Sequence, residues 1–589
     1  MSDMPVVQTD RGALRTEDRD GMRIIWNMPI VMSDGATLRA DLFLPAEQGS
    51  YPTILSLGCY AKGLRFQDAY KAQWDRMVSD FPEIMLGTTN NYQTWELADP
   101  ERFVPYGYAV LRIDSRGSGW SDGVHHVWSA QEVSDYYECI EWAAAEAWSS
   151  GDIGLLGISY YAANQWLTAA RQPPHLKAII PWEGTSNHYR ELYRHGGIRS
   201  GFLDAWLPRQ LAMQYGYGER GGTNPNTGDH VAGPTLPEDE LAKNRVDKVA
   251  EIKQHQFDDE YYRDVTVDWS KVTVPILSAA NWGGQGLHLR GNIEAFTQAA
   301  SEHKWLEIHG LEHWTHFYTP YGVDLQRRFL DHFLKGVDNG WDREASIKLQ
   351  VRHVDGFIER DEAQWPIDRT LWTKFYLNVA EKSLDRQAAL TPQAIDYDTT
   401  GPGVTFTTSP MTEATEITGP LAAKLFISSS TVDADLFLVV RLFDPDGEEI
   451  VFRGAMDAHT PIAQGWLRAS HRELDDEKTL HYRPYHTHRS AEPLTPGTVY
   501  EVDVEIWPTS IVVPAGHWLG LTVRGNDYEY EGPMDDGDKT HRYPSRGVGP
   551  FVHNDPGDRP AEVYGGTVTV HTGNRHCSHL LLPIIPARA

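Results

Sequence analysis

In the run Asp152-Ile153-Gly154-Leu155-Leu156-Gly157-Ile158-Ser159-Tyr160-Tyr161-Ala162, an apolar strand leads into Gly157, a serine follows two positions later and a helical pattern begins at once. This is the strand–turn–helix setting that turns a serine into a nucleophile: the sharp bend strains the backbone and lifts the hydroxyl above a sheet, and strand and helix approach so closely that small neighbours are needed. The last glycine of G-x-S-x-G is Tyr161 here, with Ala162 and Ala163 following. A lone G-x-S also suits an ordinary helix cap, so the surrounding chemistry must decide. Acyl transfer through Ser159 further requires a carboxylate and then a histidine later in the chain, together with donors for the developing oxyanion. The backbone N–H of Tyr160, next to the nucleophile, supplies one donor. Histidines cluster at His309, His313 and His316.

The elements that must position these groups are short apolar runs at 23–32, 38–44, 53–57, 109–113, 153–156, 178–181, 276–280 and 305–308, alternating with helical patterns at 130–146, 161–171 and 325–335, the last ended by Gly336. Such alternation marks a mostly parallel α/β sheet. The histidine cluster falls just after the last of these runs. Two stretches interrupt the alternation, 62–100 and 188–264, the second with a helical pattern over 239–255. An insertion at that place is expected to form a lid over the strand ends, where ligands bind. After about residue 345 helical periodicity nearly disappears. Strand patterns at 424–427, 436–443, 449–454, 499–506 and 518–523 are joined by turns such as Asp444-Pro445-Asp446-Gly447, which predicts an all-β sandwich or jelly roll without a catalytic cluster. The expected units are 1–187 with 265–345, the cap 188–264, and the β domain 346–589.

Fifty-three Lys and Arg stand against 82 Asp and Glu, a net charge of −29 over 589 residues. Phosphate binding needs clustered cations, so a nucleic-acid partner is disfavoured. Cys59, Cys139 and Cys577 form neither a disulfide framework nor a metal-spaced set. No stretch approaches the roughly 20 apolar residues of a membrane span, and the first 15 residues do not read as a signal peptide, so a cytoplasmic address is expected. Dinucleotide, P-loop and H-E-x-x-H signatures are missing, so no cofactor and no metal is expected. The partner expected is a small-molecule ester or amide, and a homo-oligomer stays open.

Taken together, several blocks resemble the cocaine-esterase-like acyl hydrolases, which are related to Xaa-Pro dipeptidyl peptidases. Gly157-Ile158-Ser159-Tyr160 matches the family's Gly-x-Ser-Tyr elbow, with Ala162 where the family usually has Gly. Gly58-Cys59-Tyr60-Ala61-Lys62 matches its Tyr and following Lys after the third strand, and Asp114–Gly123 its D-x-R-G-x-G-x-S-x-G block. The resemblance spans essentially the whole chain and implies an α/β hydrolase fold with an inserted helical cap and a C-terminal jelly roll. It further implies that the Tyr60 phenol is the second oxyanion donor and, from the family's Ile-Gly-Pro-Trp-x-His pattern, that His313 is the general base. His309 and His316 are rivals. The family's acid follows a Gly-Trp-Tyr pattern, but Ala280-Asn281-Trp282-Gly283-Gly284-Gln285 places Gly284 there. A carboxylate from the end of the preceding strand can do the same work, since only its place beside the imidazole matters. Glu183, in Ile180-Pro181-Trp182-Glu183-Gly184, is the expected acid.

Asp114 and Arg116 are expected to be structural, and Cys59 to be packing rather than a nucleophile. Trp182, Trp282 and Trp314 fall at strand ends, suited equally to walling an acyl pocket and to packing. The expected activity is serine hydrolysis of carboxylic esters through an acyl-enzyme. Two amide-cleaving alternatives are an Xaa-Pro dipeptidyl peptidase and a β-lactam side-chain acylase. For the peptidase, Glu191, Asp204 and Asp258-Asp259-Glu260 would have to hold the substrate amine. A third alternative, a binding protein with a degenerate site, draws its support from Gly284.

Overall fold

A computed structural model describes residues 12–533 and 546–587. The first half builds an eleven-stranded sheet from β1 (Arg15–Arg19), β2 (Met22–Val31), β3 (Thr37–Pro45), β4 (Tyr51–Gly58), β5 (Ala109–Asp114), β6 (Ser149–Ile158) and β7 (Leu176–Trp182), continued by Ile276–Asn281, Lys304–His309, Ile347–His353 and Gly356–Glu362. The strand order is β1-β2-β3-β5-β4-β6-β7 and then those four in sequence. From β5 through Ile347–His353 every pairing is parallel. These strands are buried on both faces, which is why they read as continuous apolar runs rather than alternating ones. The chain leaves β4 toward β5 on one side and reaches β6 on the other, so a crevice opens above their carboxyl ends.

Helices Ala130–Ala145, Tyr160–Ala170, Leu289–Gln298 and Pro320–Lys335 cover the sheet. The first is capped by the Ser129 side chain, which accepts from the Glu132 N–H; the last begins on Pro320 and ends at Gly336 in the left-handed region. The stretch 239–255, rich in helix formers, folds as two helices, Glu238–Lys243 and Lys248–Gln254. The break has a tertiary cause. His125 donates its N–H to the Asn244 carbonyl (2.8 Å) and accepts from the Val246 N–H (3.0 Å), drawing the linker out of helical geometry, and the Asp247 side chain then caps the second helix.

Among its described residues the second half is an all-β unit whose twelve strands run from Leu371–Asn378 to His579–Ile585. The last strand pairs with the first of them and also with the long Thr415–Ser429, which closes the arrangement on itself around an apolar core. The strand expected at 449–454 is shorter, Glu449–Ile450; beyond it Phe452 and Thr460 exchange backbone hydrogen bonds and the chain between them leaves the sheet as a loop. The two halves share a core cluster including Trp282, Ile308 and Leu349 from the first and Phe437, Trp466 and Trp507 from the second. Among the described residues no helix is long and apolar enough to cross a membrane.

Candidate active site

Ser159 sits between β6 and helix Tyr160–Ala170 at φ 59°, ψ −110°, a conformation a non-glycine residue holds only when its surroundings over-determine it. Its N–H donates to the carbonyls of Trp182 (3.0 Å) and Glu183 (3.2 Å), which anchors the bend to the neighbouring strand. A Cβ on Gly157 would fall 2.4 Å from the Tyr161 Cβ, and one on Gly184 2.8 Å from that of Ala162, so neither position tolerates a side chain. Tyr161, in place of the usual glycine, is accommodated by Gly58, where a Cβ would lie 2.4 Å from its ring. The demand for a glycine has moved from the helix to the adjacent strand.

The imidazole on the hydroxyl is that of His288, with Nε2 3.1 Å from Ser159 Oγ. His288 lies in the turn between strand Ile276–Asn281 and helix Leu289–Gln298. Gly284, which occupies the position where an acid was expected, organises that turn: its carbonyl accepts the N–H groups of both His288 and Leu289 at 3.1 Å. His288 follows Ser159 and Glu183 in the chain, so the order serine, acid, histidine is kept. Sequence reasoning passed over it because that segment was searched for a carboxylate.

Glu183, fully buried at φ 48°, is the hub of the site. Its Oε1 accepts from His309 Nε2 (3.0 Å) and Asn281 Nδ2 (3.1 Å), and its Oε2 lies 3.0 Å from His313 Nδ1 and 4.0 Å from His288 Nδ1. The other ring nitrogen of His313 meets Glu96 Oε1 at 2.9 Å rather than the serine. The rings of His313 and His288 stack at 5.0 Å and within 7° of parallel. Burial alone would lower His313, but Glu183 and Glu96 overcome it and push it up to about 10. For His288, burial acts together with the charge on His313 and pulls it down to about 3. Burial opposes ionisation of Glu183, yet His313 and His309 hold its carboxyl well below the usual range. An imidazole between two carboxylates satisfies both only as the doubly protonated cation, whereas His288 is neutral with a lone pair free to accept the serine proton.

Glu183, His288 and His313 come close enough to suggest a metal site. Ring planes this nearly parallel, however, project their nitrogen lone pairs side by side rather than toward a common point, so the three fit an ion poorly.

Tyr60 is buried beside the serine, with its ring against Tyr160 and Tyr161, and its hydroxyl accepts from Trp206 Nε1 (3.3 Å). Burial drives its phenol well above the ordinary range, so it keeps a proton to donate. Tyr160 opens the helix, so its N–H has no intrahelical partner. Ser159, Tyr60, Glu96, His288 and His313 all line one cleft. The insertion adds Tyr70 and Trp95, and the cap Phe202 and Trp206. A small apolar cavity walled by Trp128, Leu192 and Leu287 adjoins the cleft and also touches Ser159.

Residues 34–318 match the model of the X-Pro dipeptidyl-peptidase (S15) family, and residues 339–581 that of the X-Pro dipeptidyl-peptidase C-terminal non-catalytic domain. A crystal structure of a CocE/NonD family hydrolase from Staphylococcus aureus is 30% identical, superposes with a TM-score of 0.82, and covers 96% of this chain and 94% of that one. The chain belongs to the CocE/NonD hydrolases. The cocaine esterase of a Rhodococcus strain is 24% identical over 95% of this chain and 98% of its own length, and a putative serine esterase of Mycobacterium bovis is 24% identical over 94% of each. This CocE/NonD hydrolase is accordingly a serine ester hydrolase.

The remaining expected residues of the hydrolase divide by position. Asp114 receives the backbone N–H of Lys62 (2.7 Å), the Lys62 ammonium (2.8 Å) and the Trp120 N–H (2.9 Å), while Arg116 pairs with Asp135 through two hydrogen bonds. Both brace the loop beneath the site. Cys59 is buried with its thiol 3.9 Å from Gln210 Oε1. Trp314 lines the cleft, Trp182 stacks on His309, and Trp282 belongs to the shared core of the two halves. His309 lies between Glu183 and Glu307, and His316 packs against His309 with neither nitrogen hydrogen-bonded. The cap acids are engaged: Glu191 with Arg290, Asp204 with Arg199, Asp258 with Arg190, Asp259 with His255 and Glu260 with Arg263.

Proposed function

We propose that this hydrolase cleaves small-molecule carboxylic esters through an acyl-enzyme in which Ser159 is the nucleophile, His288 the proton acceptor and Glu183 the carboxylate that supports it. The observation that carries this reading is the 3.1 Å approach of His288 Nε2 to Ser159 Oγ. As Oγ attacks the ester carbon its proton passes to Nε2, and the His288 Nδ1–H turns toward Glu183 Oε2 across the present 4.0 Å. The tetrahedral oxyanion is met by the Tyr160 N–H and the Tyr60 hydroxyl. His288 then returns the proton to the departing alkoxide, and water repeats the sequence on the acyl group. His313 does not take the proton in this scheme. It stays an imidazolium stacked on His288 and held between Glu183 and Glu96.

Ester rather than amide substrates are supported by the pairing of Glu191, Asp204, Asp258, Asp259 and Glu260, the acids a peptidase would use for a substrate amine, with arginine or histidine partners. An Xaa-Pro dipeptidyl peptidase is the competing reading; p-nitrophenyl butyrate should be turned over at least about a hundredfold faster than an Ala-Pro anilide, and the reverse order would favour the peptidase. A cytoplasmic setting belongs to the same proposal, supported by three free cysteines, two of them buried.

Fluorophosphonate labelling and burst kinetics test the roles. Ser159→Ala should lose labelling, and His288→Asn should lower the acylation rate by about 10⁴-fold. His313→Asn should cost less. A His288→Asn enzyme that acylates within tenfold of wild type, alongside a His313→Asn enzyme as inert as Ser159→Ala, would transfer the base role to His313.

A further inference from the structure

The β domain is similar to the non-catalytic C-terminal domain of X-Pro dipeptidyl-peptidases, yet one of its loops enters the site. Phe452 and Thr460 pin its ends with two 2.8 Å backbone hydrogen bonds, and the segment between them reaches both histidine-bearing loops. The Ala455 N–H donates to the Gly283 carbonyl (3.1 Å), five residues before His288, and the Ala455 carbonyl accepts the backbone N–H of His313 itself (3.2 Å). Gly283 and Gly454 meet backbone to backbone: a Cβ on Gly283 would fall 2.2 Å from the Gly454 Cα. No other residue fits at Gly283 without parting the two domains. At the loop's base, Arg453 pairs with Asp80 (2.8 Å) and approaches Glu312 (3.4 Å), the neighbour of His313. On its far side the buried Asp457 accepts the N–H groups of His459 (2.7 Å), Gly547 (2.7 Å) and Gly549 (2.9 Å), so the loop is held rigidly from behind. Its next residue, Met456, lines the cleft that holds Ser159.

We infer that the Gly454–Met456 loop completes the hydrolase site from the β domain: the Ala455 peptide is a positioning element that fixes the spacing of the His288 and His313 loops, and Met456 is a specificity-determining residue that sets how large a substrate group the cleft admits. The inference rests on the ester-hydrolase reading, and it assigns the second domain a part in rate and selectivity as well as in folding. Positioning matters at this scale because a displacement of about 1 Å at a reacting group can cost on the order of a hundredfold in rate. An unbranched thioether is also the side chain best able to adapt to a substrate's outline.

Two measurements test it. With p-nitrophenyl acetate, butyrate, hexanoate and benzoate as substrates, Met456→Ala should raise the hexanoate-to-acetate and benzoate-to-acetate ratios of kcat/KM by about tenfold, and Met456→Phe should lower them, since one cavity methylene pair is worth about that much. Ratios that stay within twofold of wild type in both variants would remove Met456 from the specificity role. Ala455→Pro deletes the N–H that holds Gly283, whereas Ala455→Gly keeps it. The proline variant should lose roughly ten- to a hundredfold in kcat with KM within twofold, while the glycine variant stays near wild type. Equal kcat values for a folded proline variant and wild type would overturn the positioning role. Fluorophosphonate labelling of Ser159 in every variant separates these failures from a failure of the serine mechanism, because a wild-type enzyme that does not label would sink the parent reading instead.

Discussion

The carboxyl rim of the parallel sheet and the interior of the β domain are built on opposite principles. Around the cleft, Ala61, Glu96, Ser159, Glu183 and Leu311 all hold positive φ, at 63°, 62°, 59°, 48° and 67°, though none is glycine. The rim also buries three histidines and two glutamates within mutual reach. Among the described residues of the β domain, the non-glycine residues with positive φ are Lys382, His488 and Asn574, all in loops, and its core consists almost wholly of Leu, Val, Ile and Phe. Strained backbone costs on the order of 1–3 kcal/mol per residue and survives only where the surroundings enforce it. The stability that offsets the rim is therefore drawn from regions that do no chemistry, and substitutions in the two regions should separate rate from stability.

The largest separation is expected at Tyr60. Tyr60→Phe removes one hydroxyl that, among the described residues, is hydrogen-bonded by the Trp206 indole. On the proposed mechanism this loses one oxyanion donor, which should lower kcat by about 10²- to 10³-fold, with the melting midpoint moved little. Steady-state kinetics beside a thermal melt reads both; a melt shifted as far as a core truncation would break the comparison. The mirror case is Leu425, wholly buried in the β core. Leu425→Ala should cost about 2–5 kcal/mol in a denaturant titration, while kcat per folded molecule stays at the wild-type value. A folded Leu425→Ala enzyme with a depressed kcat would show that the two regions are not separable.

How far each region is legible in sequence follows the same division. The sheet strands announce themselves because strands buried on both faces must be continuously apolar, and the turn-rich alternation after residue 345 marks the β domain for the complementary reason. The elbow at Ser159 is legible because close packing demands Gly157 and small residues nearby. Long-range pairing is where local pattern fails. Nothing between 239 and 255 reveals that His125 will pull Asn244 and Val246 out of a helix, nor does 449–454 reveal a loop committed to another domain. His288 went unnoticed for a similar reason. Its place on the hydroxyl depends on a Gly284 turn whose carbonyl pattern no spacing rule records. Glu183 could be singled out as an acid at a strand end, but that one carboxylate gathers several imidazoles is a property of the folded rim alone.

The smallest expected effect, and the one that reports on that gathering, is the dependence of stability on alkaline pH. His313 is raised from 6.5 to about 10 and His309 to about 9 by the carboxylates beside them. A group raised on folding stabilises fully below its unfolded pKa and loses that contribution as pH climbs through the folded value. Through these two groups the native protein holds more protons than the unfolded chain between about pH 6.5 and 10; above about pH 8, where the histidines lowered by burial are neutral in both states, this contribution makes the unfolding free energy fall. Glu183 has the opposite sign: its carboxyl is depressed, so its contribution is present above 4.5 and fades only in strong acid, outside the alkaline window. Denaturant midpoints measured from pH 8 to 10 should therefore decline less steeply in His313→Gln, which has one proton fewer to lose, than in wild type and Ser159→Ala. Parallel slopes in wild type and His313→Gln would mean that His313 is neutral at rest, and a neutral His313 would be free to compete with His288 for the serine proton.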